Sequence, residues 1–101
     1  MPKGYWIANV EVFDPEGYKA YIQANGVAFA KYGASFLVRS GRHEIVDGKS
    51  RSRQVLIEFK DYETALACFH SPEYQAALAL RKPVSEGDLV IVEGYDGPQP
   101  G

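Results

Sequence analysis

Gly4-Tyr5-Trp6-Ile7-Ala8-Asn9-Val10-Glu11-Val12 is the stretch of sequence that decides the fold. It is rich in aromatic and β-branched residues and stops at Asp14-Pro15, a typical start of a helix, which predicts a strand. Its two faces are Trp6, Ala8, Val10 and Val12 on one side and Tyr5, Ile7, Asn9 and Glu11 on the other. Because neither face is plainly polar, we expect this strand to lie in the middle of a sheet covered on both sides.

The rest of the chain alternates between helix and strand signals. Asp14 and Gly33 fit the N-cap and C′ positions of an amphipathic helix between them, and Ser71 fits the N-cap of a later one. The predicted elements after the first strand are a helix over Pro15–Tyr32, a strand over Ala34–Ser40 continued by Arg42–Val46, a turn at Asp47-Gly48, a strand over Arg53–Phe59, helical segments from Asp61 and over Pro72–Arg81, a strand over Asp88–Tyr95, and a flexible tail over 96–101.

This β-α-β-β-α-β order predicts one α+β domain over residues 1–101 with a ferredoxin-like fold. Right-handed crossovers put two helices on one face of a four-stranded antiparallel sheet, with the first and third strands central. The residues predicted to face the helices are Trp6, Ala8, Val10, Phe36, Val38, Val55, Ile57, Phe59, Val90 and Val92. The opposite face is predicted to carry Tyr5, Ile7, Asn9, Leu37, Arg39, Leu56, Glu58, Leu89, Ile91, Glu93 and Tyr95.

That opposite face is too apolar to be exposed to water. Since no further segment of the sequence is available to cover it, a second copy of the chain is the simplest cover. We therefore expect a homodimer with the two sheets face to face.

Composition excludes several classes of function. A formal charge of −2 argues against nucleic acid as a partner, because such proteins usually carry a basic patch. No apolar run approaches the roughly 18 residues of a membrane span, and the N-terminus has no signal-peptide pattern. Cys68 is the only cysteine, which precludes an intrachain disulfide and suits a reducing cytoplasm. Its apolar neighbours predict a buried, inert thiol.

Six segments spread over the chain resemble the domain of unknown function 1330 (DUF1330) family. They are Lys3–Ala8, Tyr32-Gly33, Phe36–Arg39, Gly41–Glu44, His70–Tyr74 and Glu93–Gly97. The resemblance covers nearly the whole chain and implies a small bacterial protein of the dimeric α/β-barrel superfamily. It implies no established reaction, since that superfamily includes cofactor-free monooxygenases, muconolactone isomerases, haem proteins and binding proteins. Fold alone is a weak guide to activity here.

His43 is the candidate proton carrier, because imidazole exchanges protons near neutral pH. It follows Arg39 and Gly41 at strand spacing, so a regular strand places it on the face of Arg39. A guanidinium there could hold the carboxylate or enolate oxygen of a small acid while His43 moves a proton. The alternative is that His43 bonds across the hairpin or the dimer seam.

Four polar residues are predicted to share the face opposite the helices: Asn9, Arg39, Glu58 and Glu93. They could line a polar ligand cavity in which Arg39 pairs with a carboxylate and Asn9 orients the ligand. The alternative is that they fix the register of the dimer, because buried charges need partners in either case.

An aromatic set could form an apolar pocket, or it could simply be the core. Its members are Trp6, Tyr18, Tyr21, Phe29, Tyr32, Phe36 and Phe69. Of these, Trp6 and Tyr32 are the candidate ligand contacts. Asn25 lies in the apolar stripe of the first helix and must find a hydrogen-bond partner, which could be a ligand.

Other catalytic classes have weak support. His70-Ser71 places a hydroxyl beside an imidazole, but Ser71 before Pro72 is better explained as an N-cap. Two histidines and one cysteine do not form a metal-ligand set, and no glycine-rich phosphate loop is present, so we expect no metal and no cofactor.

Two functions remain open after these exclusions. One is a cofactor-free, isomerase- or monooxygenase-like enzyme that acts on a small aromatic or unsaturated acid. The other is a non-catalytic dimeric module that binds a small molecule or serves a stress response.

Overall fold

The chain forms a four-stranded antiparallel sheet with three helices packed on one face, in a computed structural model that describes residues 2–101. The elements are β1 (Gly4–Val12), α1 (Pro15–Tyr32), β2 (Ser35–Arg39), β3 (Arg53–Phe59), α2 (Tyr62–His70), α3 (Pro72–Arg81) and β4 (Ser85–Glu93). The strand order is β2-β3-β1-β4, so β1 and β3 are central. The predicted ferredoxin-like α+β topology is confirmed.

The helix boundaries follow from local capping chemistry. The Asp14 carboxylate accepts from the Gly17 amide at 3.2 Å, and α1 ends at Gly33, whose φ of 69° is the left-handed conformation that glycine adopts readily. The Ser71 hydroxyl donates to the Cys68 carbonyl at 2.6 Å and accepts from the Tyr74 amide at 3.1 Å. Ser71 therefore ends α2 and begins α3, as predicted, and its oxygen is fully engaged in joining the two helices.

The core is centred on Trp6, which is 2% exposed. Its indole N–H donates to the carbonyl of Ala65 at 2.8 Å, and its ring lies 4.8 Å from that of Tyr74 and 5.3 Å from that of Phe29 in edge-on geometry. Burial of the large aromatic rings supplies most of the hydrophobic stabilisation here. The strand met first in the sequence thus supplies the residue around which all three helices pack.

The predicted faces of β4 are wrong. Ile91 pairs with Trp6 and Leu89 with Ala8, so both side chains point toward the helices, while Val90 and Val92 point away. The strand also runs from Ser85 to Glu93, beginning and ending earlier than predicted. Because Leu89–Val92 is apolar at every position, the sequence alternation could not distinguish the two faces.

The predicted extension of β2 is also wrong. A β-bulge between Phe36 and Val38 shifts the register, so Val38 pairs with Leu56 and Arg39 with Val55. Ser40, with φ of 56°, then turns the chain away from the sheet, and residues 41–46 form no strand. Arg39 consequently lies on the helix side of the sheet, and Val38 lies on the other side.

The face away from the helices is apolar over its central part and is here called the open face. It is formed by Tyr5, Ile7, Val38, Leu56, Val90 and Val92. Ile7 is 50% exposed and Val90 is 57% exposed, unusually high for mid-strand apolar residues. Within residues 2–101, no helix is both long enough and apolar enough to cross a membrane.

Candidate functional site

A cavity lies between α1, the end of α3 and the helix side of the sheet. Its volume is about 40 Å³, enough for a few water molecules or a small ligand group, since one buried water needs about 10–15 Å³. The walls are Trp6, Ala8, Val10, Tyr18, Tyr21, Ile22, Asn25, Phe29, Phe36, Arg39, Arg53, Val55, Ile57, Tyr74, Arg81 and Leu89. The exposed Arg39 marks its mouth, at the β2 edge of the sheet.

The inner end of the cavity is apolar and aromatic. Trp6, Phe29 and Tyr74 form it together with Ile57, and all four side chains are almost fully buried. The ring of Phe36 lies 5.5 Å from that of Phe29 and continues this wall toward the β2 edge. Such a surface favours a small apolar group, as ligand pockets of soluble proteins commonly do.

The other end of the cavity carries three arginines. The guanidinium of Arg53 lies 5.5 Å from the ring of Tyr18, that of Arg81 lies 5.8 Å from the ring of Tyr21, and that of Arg39 lies 4.2 Å from the ring of Phe36. These contacts orient the planar groups by cation–π attraction, and Arg53 and Arg81 also lie within hydrogen-bonding reach of the Tyr18 and Tyr74 hydroxyls, respectively.

The Nε atoms of Arg53 and Arg81 are buried and have no hydrogen-bond acceptor in the described part of the chain. None of the cavity-lining residues given above is acidic. The ion pairs found among residues 2–101 involve other cations, namely Lys3, Lys19, Lys31 and Arg51. Because a buried cationic donor without a partner is costly, this end of the cavity is suited to an anion.

Three tyrosine hydroxyls and one amide complete the polar surface. The hydroxyl oxygens of Tyr21 and Tyr74 are 2.9 Å apart, so one donates to the other. Burial raises the pKa of Tyr18, Tyr21 and Tyr74, an effect opposed in each case by the positive charge of Arg81. All three hydroxyls therefore stay protonated at neutral pH and are donors. Asn25, 6% exposed, lies beside the Tyr21 hydroxyl.

The local sequence explains how the arginines reach this site. Arg53 has the same strand parity as Val55 and Ile57, so it shares their side of the sheet. Arg81 extends the stripe of Tyr74, Ala77 and Leu78 on α3 by one helical turn. The third arginine, Arg39, reaches this side only because of the β2 bulge.

Of the residues singled out from sequence, Trp6, Asn25 and Arg39 line the cavity, as do Tyr18, Tyr21, Phe29 and Phe36 of the aromatic set. The predicted pairing of Arg39 with Glu58 or Glu93 is wrong, because the bulge moves Arg39 to the other side of the sheet from Glu58. Glu58 accepts instead from Lys3 at 3.0 Å and from the Tyr5 hydroxyl at 3.4 Å. Glu93 pairs with Gly4 at the end of β4 and is exposed, so the four polar residues do not share one face.

Asn9 holds the loop between β2 and β3. Its amide nitrogen donates to the Ser50 hydroxyl and to the Gln54 side chain, each at 2.7 Å, and its oxygen accepts from the Arg51 amide at 2.8 Å. Its side chain is thus engaged with this loop and with Gln54 of β3, and it does not line the cavity.

His43 lies in the exposed loop after β2 and does not line the cavity. Its Nδ1 is 3.2 Å from the carbonyl oxygen of Gly41, a contact within the same loop. Tyr32 is half-buried at the end of α1, with the Lys31 ammonium 5.7 Å from its ring, and it also lies outside the cavity. Neither residue is brought together with the three arginines.

Cys68 is buried, and burial raises the pKa of its thiol to about 12, so it is protonated at neutral pH. Residues 2–101 contain no group of three His, Cys, Asp or Glu side chains placed to hold a metal ion.

The sequence interpretation missed Arg53, Arg81 and the role of the three tyrosines as a hydroxyl cluster. Arg53 is the first residue of a predicted strand, and Arg81 is a cation in the last turn of a predicted helix, where positive charges are common. Neither position drew attention to a site. The signal that could have found both is their position in the apolar period of their own elements.

The family model for the domain of unknown function DUF1330 matches residues 3–95. The chain belongs to the DUF1330 family. No curated protein matches its sequence. Membership in DUF1330 accounts for the sequence resemblance and leaves the activity undetermined, because the family is defined without a function.

Solved structures similar to this DUF1330 chain share its ferredoxin-like fold. RPA0582, a protein of unknown function from Rhodopseudomonas palustris, matches with a TM-score of 0.73 and 14% identity over 95% of this chain and 85% of its own. SnoaB from Streptomyces nogalater, described as a cofactor-independent oxygenase, matches with a TM-score of 0.64 and 13% identity over 99% and 97%. A dimeric ferredoxin-like protein of unknown function from Thermobifida fusca matches with a TM-score of 0.61 and 17% identity over 91% of each chain.

Proposed function

We propose that this DUF1330 protein binds a small organic acid in the cavity between α1 and the sheet. The observation that carries the proposal is the pair of buried Nε donors of Arg53 and Arg81, which have no acceptor within residues 2–101. A carboxylate at that end satisfies both donors with charge-assisted hydrogen bonds, the strong class of such bonds.

The cavity of about 40 Å³ is smaller than the roughly 150 Å³ of a cavity that holds a benzene ring, so the acidic group enters it and the apolar part of the ligand lies at the mouth. The half-buried ring of Phe36, beside Arg39, offers an aromatic surface there, which favours an aromatic or unsaturated body over a branched aliphatic one. The tyrosine hydroxyls and the Asn25 amide lie among the lining groups and supply neutral hydrogen bonds that fix the ligand's orientation.

The experiment compares an acid with its neutral isostere. Benzoate raises the melting temperature of the wild-type protein in a thermal-shift assay, whereas benzamide does not. Arg81→Gln abolishes the shift, and Arg42→Gln, an exposed arginine in the loop after β2, leaves it unchanged and serves as the matched control. A shift that survives Arg81→Gln, or no shift with any aromatic or unsaturated acid, overturns the proposal.

A second candidate is catalysis without a cofactor, at the same site. Three guanidinium groups stabilise an enolate oxygen, so a bound acid with an acidic C–H ionises more readily than it does in water. The protonated Tyr21–Tyr74 pair donates a hydrogen bond to that oxygen. His43 lies outside the cavity, so the proton of the acidic C–H passes to water at the mouth, and the tyrosine pair acts only as a hydrogen-bond donor to the enolate oxygen.

This candidate is favoured by the fold likeness to SnoaB, described as a cofactor-independent oxygenase. Its test is exchange of the acidic C–H of a bound aryl keto acid with deuterium, followed by NMR. Wild-type protein accelerates the exchange, and Tyr74→Phe slows it at least tenfold with little change in ligand affinity. If the wild-type protein accelerates the exchange no more than the Arg81→Gln variant does, the site only binds the acid and catalysis is excluded.

We also propose that two copies associate through the open face. Ile7, Leu56 and Val90 are apolar neighbours across three strands, and two of them are at least half exposed. The T. fusca protein of similar fold is described as dimeric. Since the cavity lies on the helix side of the sheet, each protomer keeps its own site. Light scattering at micromolar concentration tests this, and a monomer mass contradicts it.

A further inference from the structure

We infer that the cavity selects dianions, that is, small acids with two acidic groups on one ring or short chain. The inference rests on the proposed acid-binding function and specifies its ligand class. It comes from the number of arginines, their positions and the lack of acidic side chains among the lining residues.

The cavity wall carries more positive charge than one carboxylate can neutralise. Arg39, Arg53 and Arg81 bring three permanent positive charges to the cavity wall, since guanidinium groups keep their protons in proteins. The tyrosine hydroxyls nearby are neutral, because burial raises the pKa of Tyr18, Tyr21 and Tyr74. A monoanion leaves two cations uncompensated at a partly dehydrated site, whereas a dianion leaves one.

Arg53 and Arg81 form one anion position. They stack on Tyr18 and Tyr21 respectively, and those two rings are only 5.2 Å apart. Both Nε atoms are buried without an acceptor in the described part of the chain. The first acidic group of the ligand binds between these two guanidiniums.

Arg39 forms a second anion position. It pairs with Val55 across the β2–β3 ladder, which makes Arg53 its diagonal neighbour on the same side of the sheet. Diagonal neighbours lie roughly 7–8 Å apart, within the reach of two long side chains that bind groups on one small molecule. Because Arg39 is exposed at the mouth, its side chain is free to close on the second acidic group.

Matched ligands test the inference by isothermal titration calorimetry. The probes are phthalate and isophthalate, with two carboxylates, benzoate, with one, and benzamide, with none. We expect at least one dicarboxylate to bind roughly ten- to a hundredfold more tightly than benzoate, as for one added hydrogen bond between charged groups. Its affinity also falls more steeply than that of benzoate when the salt concentration rises.

Arg39→Gln separates the two positions. It reduces the preference for the dicarboxylate over benzoate to less than threefold, whereas the exposed Arg42→Gln control keeps the wild-type preference. If benzoate binds as tightly as both dicarboxylates, the dianion inference is overturned and acid binding stands. If none of the acids binds more tightly than benzamide, acid binding itself is overturned. An unchanged preference in Arg39→Gln overturns the assignment of the second position.

Discussion

The two faces of the sheet differ most clearly at adjacent residues of β1. Trp6 is 2% exposed and lies in the core between the sheet and the helices. Ile7 is 50% exposed on the open face. The helix side has a cavity lined by three arginines beside aromatic rings, and the open face has only apolar groups at its centre. One face is therefore suited to a small charged ligand and the other to a flat apolar surface.

The largest expected effect is at Trp6. Trp6→Ala lowers the free energy of unfolding by about 3–5 kcal/mol, because it leaves a cavity and removes the indole donor of the Ala65 carbonyl. Urea denaturation measures this, and the effect is the same at all protein concentrations.

Ile7→Ala provides the comparison on the open face. In dilute protein it costs less than about 1 kcal/mol, and its effect grows with concentration because only the associated form buries this side chain. Equal, concentration-independent losses at Trp6 and Ile7 would mean that the two faces are not distinct.

The next largest effect is on association. Leu56→Lys and Val90→Lys convert the dimer to a monomer, since an unpaired ammonium buried in an apolar interface costs several kcal/mol. Val27→Lys, which changes a 61% exposed position on α1, leaves the mass unchanged and is the control. Light scattering distinguishes them, and a dimer that tolerates both open-face changes contradicts the proposed interface.

A smaller effect of opposite sign is expected at the cavity. Arg53→Met raises the free energy of unfolding by about 1 kcal/mol without ligand, because it removes a cation whose buried Nε has no acceptor in the described residues. The same change weakens acid binding. A variant that is less stable than the wild type shows instead that Arg53 contributes to the fold.

The smallest effect concerns the Lys31–Glu73 ion pair, which joins the end of α1 to the start of α3 at 2.9 Å. The hydrogen bond from Lys31 lowers the pKa of Glu73 below its usual 4.5. Stability from a carboxylate with a lowered pKa is complete above about pH 4.5 and is lost as the pH falls through the folded-state pKa.

Glu73→Gln removes this pH dependence. We expect the wild type to lose more stability than the variant between pH 7 and pH 3.5, as measured by urea midpoints. Parallel losses in both proteins exclude a contribution of this pair.

The sequence predicted the order of elements and the faces of β1 and β3, because in each strand only one of the two faces carries mid-strand polar residues, namely Asn9 and Glu11 in β1 and Gln54 and Glu58 in β3. It could not predict the faces of β4, where four consecutive residues, Leu89–Val92, are apolar. There the register is set by pairing with β1, a long-range contact that no local pattern contains.

The candidate site was predictable only in part. Asn25 and Trp6 occupied apolar positions of regular elements, so their direction followed from periodicity. His43 and Asn9 were misjudged because Ser40 adopts a left-handed conformation, which ends β2 and sends the following loop back over the sheet, where Asn9 anchors it. Side-chain periodicity carries no information about such a change of path.

The β-bulge in β2 has a consequence for tolerance of insertions and deletions. One extra residue between Phe36 and Val38 reverses the parity of everything that follows in the strand. Deleting Leu37 removes the bulge and leaves Arg39 opposite Val55, so its charge stays on the cavity side, whereas inserting one residue between Val38 and Arg39 moves that charge onto the open face. A single-codon gain at that point would impair both surfaces at once, whereas loss of the Leu37 codon would spare them, so the two surfaces are coupled through the residue count of one short strand.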